Sequence, residues 1–206
     1  MPSLFITFEG PEGSGKSTQA ELLAKELENR GLKIRLTREP GGDPVSEEIR
    51  KILLDGEDYS VVDHAELFLY QAARAQHVER VVKPCLDEGF IVICGRFIDS
   101  TVAYQGYGSG IDLDLIHKMN AFATDGRFPD ITFLMDIDVE IGLRRQDQWN
   151  RMERKAVDYH QKVRRGFLEE ARLNPDRIKV IDASQDIETC RLQIMKIVAE
   201  KLGTAL

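Results

Sequence analysis

Residues 4 to 18, Leu-Phe-Ile-Thr-Phe-Glu-Gly-Pro-Glu-Gly-Ser-Gly-Lys-Ser-Thr, constrain the fold more than any other stretch, because a short apolar run breaks there into a glycine-rich turn. Gly10, Gly15, Lys16 and Ser17 satisfy the G-x-x-x-x-G-K-[ST] spacing. Before them, Leu4 to Phe8 is apolar enough for a buried strand. After them, Ala20, Leu23, Ala24 and Leu27 recur at helical spacing up to a stop at Gly31. Strand, phosphate loop and helix start follow in that order. A chain of phosphates carries several negative charges and must be approached by backbone N–H groups with no side chain in the way, which glycines permit. The loop from Gly10 through Glu12, Gly13, Ser14 and Gly15 to Lys16, Ser17 and Thr18 is therefore the candidate cofactor-binding segment. The helix N-terminus adds its positive dipole end, Lys16 a mobile cation, and Ser17 a hydroxyl for a magnesium ion.

The rest of the composition narrows the partners. At 206 residues the chain suits one sizeable domain, and 42% hydrophobic with 31% charged residues is the balance of a soluble globular protein. A formal net charge of −7 argues against a general nucleic-acid or anionic-membrane binder, which needs a basic face. Cys85, Cys94 and Cys190 stand far apart with no C-x-x-C pair, so neither a disulfide framework nor a zinc site is indicated, and a reducing compartment fits. His64, His77, His117 and His160 match no metal-ligand spacing and read as ordinary surface or helix residues. With no basic leader before a long apolar segment, the chain reads as cytoplasmic.

Along the chain, a second strand is expected within 32–37, then a loop fixed by Pro40, Gly41, Gly42 and Pro44, and a short helix opened by Ser46 and carrying Arg50. A long helix is expected from about His64 to Glu88, kinked or ended by Pro84. Phe90 to Cys94 reads as a central buried strand, and the polar run from Gly95 to Thr101 lies at its carboxyl end, where ligands bind in open α/β sheets. Further helices are expected over 112–123, after a cap at Asp138, over about 152–172 and over 186–201, with strands at 131–136 and 178–181. Strand and helix alternate throughout, so the fold class is α/β of the P-loop type, a parallel sheet of about five strands with helices on both faces, in one domain.

A phosphate loop alone serves switches, motors and kinases. The sequence lacks the N-K-x-D or T-K-x-D of a guanine site and is too short for a typical motor, leaving a small kinase as the simplest reading. Four runs then carry a resemblance. Glu9 to Thr18, Thr37-Arg38-Glu39-Pro40-Gly41-Gly42, Tyr70-Gln71-Ala72-Ala73-Arg74 and Asp99-Ser100-Thr101-Val102-Ala103-Tyr104-Gln105-Gly106 together resemble the bacterial thymidylate kinases, in order and spacing. The resemblance implies transfer of the γ-phosphate of ATP to dTMP with magnesium, in a homodimer, with no nucleic-acid or membrane partner.

It also implies roles. Lys16 would neutralise the transferred phosphoryl group, and Glu12 would stand near the acceptor sugar and its 3′-hydroxyl. Tyr70 and Arg74, one helical turn apart, would hold the thymine ring, with tyrosine in place of the more usual phenylalanine. Arg96 would grip the acceptor phosphate with Arg50 as a second cation; Pro40 would shape the base pocket, and Ser100, Thr101, Tyr104 and Gln105 would line its far wall, with Glu9 counted among the substrate-binding residues. Two departures stand out. Gly95-Arg96 replaces the family's Asp-Arg, which raises the alternative of a catalytically impaired nucleotide-binding protein. The expected lid, about 144–154, is shortened and has Asn150-Arg151-Met152-Glu153 in place of Asp-Arg-x-Glu. Because the loop carries no arginine, a lid residue must stabilise the transferred charge; Arg145 and Arg151 are the candidates, with Arg144 behind them, and Trp149 has no assigned role.

Overall fold

The computed structural model describes residues 3–54, 60–145 and 156–203. Its strands are β1 (Leu4–Glu9), β2 (Ile34–Arg38), β3 (Ile91–Gly95), β4 (Ile131–Asp136) and β5 (Ile178–Asp182), forming one parallel sheet in the order β2-β3-β1-β4-β5. β1 is buried along its whole length because strands flank it on both edges and helices cover both faces. The register sets Phe8 opposite Gly95 and Glu9 opposite Leu134, which brings the ends of β1, β3 and β4 to one rim.

The helices are α1 (Lys16–Asn29), α2 (Pro44–Leu54), α3 (Asp63–His77), α4 (Lys83–Asp87), α5 (Ile98–Thr101), α6 (Leu113–Ala123), α7 (Val139–Arg144), α8 (Val157–Leu173) and α9 (Ile187–Leu202). On one face, Leu23 and Leu27 of α1 and Ile194 and Val198 of α9 pack with Ile6, Phe8, Ile93 and Phe133. On the other, Phe5, Val92 and Cys94 meet Val78, Val82 and Phe97, while Phe167 and Val163 of α8 close over Tyr104 and Leu134. No described helix is long and apolar enough to cross a membrane.

Several expected boundaries shift for local reasons. The long helix before β3 does not break at Pro84; its hydrogen bonding turns irregular just before it, in a π-helical turn, Val78–Val82, where Lys83 N donates to Val78 O. Pro44 begins α2, with the Asp43 carboxylate accepting from Val45 N at 2.9 Å. The expected cap, Ser46, is instead buried and donates to Ala73 O. The polar run after β3 folds into α5 and a π-helical stretch, Val102–Gly108, and is not a loop. Asp138 caps α7 as the helix-start pattern predicts, and Asp186 caps α9 in the same way. Residues 146–155, which contain Trp149, Arg151 and most of the expected lid, lie outside the described residues.

Behind the rim, Arg177 holds Asp99 with two bonds of 2.7 Å and also donates to Thr132 Oγ1, which meets Thr7 Oγ1 at 2.7 Å. Asp99 is buried, so removing its partner leaves a charge with no compensation. Arg177→Met is expected to lower stability by about 3 kcal/mol in urea unfolding, with Asp99→Asn in the same background recovering part of the loss.

Candidate active site

The phosphate loop runs from Gly10 to Gly15 between β1 and α1, and its glycines are fixed by contact as well as conformation. Gly13 has φ +67°, and a Cβ there would collide with the carbonyl of Gly142 in α7. At Gly10 a Cβ would strike the carbonyl of Met135. Lys16 Nζ folds back to Pro11 O at 2.5 Å and Ser14 Oγ at 3.2 Å, resting over the loop it serves. The first N–H groups of α1 have no intrahelical acceptor, and Ser17 and Thr18 stand exposed at this end.

Beside the loop opens a cleft lined by Glu12, Pro40, Arg50, Tyr70, Arg74, Arg96, Ser100, Thr101, Tyr104 and Gln105. Every substrate-binding candidate drawn from the sequence lies in this wall except Glu9, which is fully buried at the end of β1 and does not reach the cleft. The assignment of Glu9 as a ligand contact is therefore corrected. Pattern reading missed Glu39, Leu54 and Phe97, which also line the cleft.

Arg96 holds the loop side. Its Nη2 donates to Glu12 Oε1 at 2.7 Å, its Nη1 reaches Gly10 O and Ser100 Oγ at 3.3 Å, and its guanidinium lies 5.1 Å from the Tyr104 ring centroid. Tyr104 OH donates to the same Glu12 oxygen at 2.8 Å. Burial opposes ionisation of Glu12, but Arg96 and then Lys16 outweigh it and pull the carboxyl from 4.5 down to about 2. Glu12 is thus an anionic acceptor that orients Arg96 and Tyr104, and a poor proton acceptor at neutral pH. Burial likewise opposes the charge on Arg96, yet Glu12 and further acids raise its pKa and keep it cationic. Burial, then Arg38 and Arg96, lower that of Arg50, whose Nη1 donates to Pro40 O at 2.9 Å. Arg50 and Arg96, which both line the cleft, therefore offer two cations suited to a phosphate, while Arg38 pairs with Glu47 at 3.0 Å and does not line it.

Arg74 holds the far end. Nε donates to Glu39 Oε2, Nη1 to Thr101 Oγ1 and Asn120 Oδ1, and Nη2 to Phe97 O, all within 2.9 Å. An arginine has five N–H donors, so one hydrogen of Nη2 has no acceptor among the described residues. Glu39 also faces His77 Nδ1 at 3.0 Å, while His77 Nε2 meets Thr37 Oγ1 at 2.8 Å. His77 is thus part of the buried scaffold of this site, contrary to the ordinary helix role read from sequence. Gln105 Nε2 donates to Glu66 Oε1 at 2.9 Å, anchoring the cleft's edge.

Of the lid candidates, Arg144 pairs with Glu140 on the surface and Arg145 donates to Ala183 O at 3.2 Å. Neither lines the cleft, and Arg151 is outside the described residues. At Gly95 a Cβ would meet only Arg38 Cβ, at 3.7 Å, so the position has room for a side chain.

Comparison with known proteins agrees with this geometry. The thymidylate kinase family profile matches residues 8–194. A thymidylate kinase of Latilactobacillus sakei is 44% identical over 97% of this chain and 96% of its own, and one of Geotalea daltonii is 46% identical over 97% and 98%. The crystal structure of thymidylate kinase from Ehrlichia chaffeensis superposes with a TM-score of 0.80 at 40% identity, covering 96% of this chain and 99% of that one.

The depressed Glu12 pKa makes a signed prediction. Glu12 contributes stability above its unfolded value of 4.5 and loses it as pH falls towards 2. The unfolding free-energy gap between the parent and Glu12→Gln, expected to be about 3 kcal/mol at neutral pH, should shrink steadily from pH 5 to pH 3; a constant gap contradicts the pairing.

Proposed function

The chain belongs to the thymidylate kinase family, and on that premise we propose that the cleft beside the phosphate loop binds dTMP and that the chain phosphorylates it to dTDP with the γ-phosphate of ATP. The observation that carries this reading is the placement of two arginines at opposite ends of one cleft, Arg96 beside the phosphate loop and Arg74 with a single donor left. A lone N–H donor suits the carbonyl of a thymine ring and meets the amino group of cytosine donor to donor. Tyr70 and Phe97 supply apolar surface for the ring, and Thr101 shares its hydroxyl with Arg74. Arg96, with Arg50 nearby, takes the acceptor phosphate and turns the acceptor oxygen towards the loop, where Lys16 and the α1 N-terminus hold the donor phosphates.

The residues present fit a magnesium ion carried with the nucleotide. Ser17 offers an exposed hydroxyl beside the phosphate site, whereas Glu9, Glu12 and Glu39 are engaged by Ser100, Arg96 and Arg74. Among the described residues no group of three or more His, Cys, Asp or Glu side chains could form a protein cage for the ion. Ser17 would therefore hold the metal together with phosphate oxygens and water, and the metal would offset charge on the transferred group. Gly95 leaves the end of β3 without a carboxylate, and nothing in the comparisons favours a chain that has lost activity. Catalysis here rests on cations and positioning, both of which remain.

A homodimer completes the proposal. Three neighbouring helices carry exposed apolar stripes at helical spacing: Val45 and Ile52 on α2, Phe68, Ala72 and Ala75 on α3, and Leu115 and Phe122 on α6. Phe122 is 90% exposed, which is a costly surface unless a second copy covers it. The unpaired cysteines and the use of ATP suit a cytoplasmic enzyme of one domain.

Purified protein with ATP and magnesium should form dTDP from dTMP and turn over dCMP, AMP and GMP at least about 100-fold less efficiently; absence of dTDP contradicts the reading. Gly95→Asp is expected to raise kcat by no more than about 10- to 100-fold, since an indirect metal-side group is worth that order. Phe122→Lys with Phe68→Glu should shift the protein to monomers in sedimentation.

A further inference from the structure

Glu9 is the last residue of β1 and is fully buried, yet it neither lines the cleft nor belongs to the phosphate loop. Its carboxylate is directed across the sheet rim to the segment after β3. Oε1 accepts from Phe97 N at 2.7 Å and Ser100 N at 3.1 Å, and Oε2 accepts from Ser100 Oγ at 2.5 Å. Between β3 and those residues stands Arg96 at φ +65°, a left-handed conformation that a non-glycine residue keeps only where its surroundings impose it. On one side Arg96 N donates to Phe8 O at 2.9 Å; on the other, the Glu9 carboxylate holds the next backbone N–H. The same carboxylate orients the Ser100 hydroxyl, whose oxygen accepts from Arg96 Nη1. One buried group therefore braces both the backbone of Arg96 and, through Ser100, its guanidinium.

We propose that Glu9 is a positioning residue for the acceptor phosphate: it fixes the left-handed turn at Arg96 and aims the guanidinium at the phosphate without touching the ligand. This rests on the reading of Arg96 as the acceptor-phosphate ligand. Glutamine has the same shape but only one acceptor atom: turned to keep the Phe97 and Ser100 N–H groups, it sets an NH2 against the Ser100 hydroxyl, which must then accept where it had donated. The backbone of 97–100 keeps its place, and with it the bonds of Arg74 to Glu39, Thr101 and the Phe97 carbonyl, while the reoriented Ser100 hydroxyl costs the Arg96 guanidinium its aim.

The test is calorimetric titration of dTMP and of thymidine, which lacks the phosphate, into the parent, Glu9→Gln and Ser100→Ala, with thermal melting to establish folding. The parent should prefer dTMP. In Glu9→Gln the dTMP Kd should rise about 10-fold or more while that of thymidine changes less than about twofold, as expected for one misdirected charge-assisted contact. The KM for dTMP should rise in parallel and that for ATP should not. An unchanged ratio of the two affinities, or an equal loss of both, overturns the proposal, since a merely structural role would weaken both ligands alike. If Glu9→Gln does not fold, Ser100→Ala decides alone, because it removes the relay and leaves Glu9 accepting from the Phe97 and Ser100 backbone N–H groups. There, a selective loss of dTMP affinity supports the proposal and an unchanged ratio overturns it. A parent that binds dTMP no better than thymidine removes the role assigned to Arg96 and this proposal with it.

Discussion

The ion pair between Arg96 and Glu12 ties the end of the central strand to the phosphate loop, and the site depends on it. The two residues lie 84 positions apart in sequence and meet at 2.7 Å because β3 runs parallel to β1 with Phe8 opposite Gly95. Parallel register thus sets a cation beside the place where the glycine turn presents its N–H groups. Two carboxylates on the same few residues of chain then behave in opposite ways. Arginine keeps Glu12 ionised, whereas burial and the nearby Asp99 push Glu9 from 4.5 up to about 7. Burial opposes the charge on both; the direct contact with Arg96 outweighs it at Glu12, whereas at Glu9 the bonds from Ser100 and Phe97 offset it only in part.

At the other end of the cleft, specificity comes from donors already committed. Glu39, Thr101, Asn120 and the Phe97 carbonyl hold Arg74 so fully that its orientation is set before a ligand arrives. Asn120 is itself fixed, accepting from Gln71 Nε2 at 2.7 Å and donating to Ile98 O at 3.2 Å. Such a network stabilises little by comparison with an apolar core, and breaking one member leaves the others buried and unpaired. Its value is a fixed geometry for one remaining N–H.

Much of this was legible in the sequence because local pattern and local chemistry coincide there. The phosphate loop, the alternation of strand and helix, the cap at Asp138, and the placing of Tyr70 and Arg74 on one helix face each follow from spacing over a few residues. What escaped pattern reading is the part made by long-range contact. Glu9 was counted among the substrate-binding residues with the resemblance, but the pleat of β1 turns it to the Phe97 and Ser100 N–H groups. His77 showed no spacing partner because its partners, Thr37 and Glu39, come from the far side of α2 in sequence. Glu39, Leu54 and Phe97 carry no short motif for a cleft wall.

The most direct test is a crystal structure with dTMP bound. The phosphate should lie within hydrogen-bond distance of Arg96 and Arg50, with Arg96 still in its left-handed conformation, and the Arg74 Nη2 should donate to a ring carbonyl. A phosphate seated away from Arg96, or a ring that leaves Arg74 without contact, would contradict the assignment of the cleft.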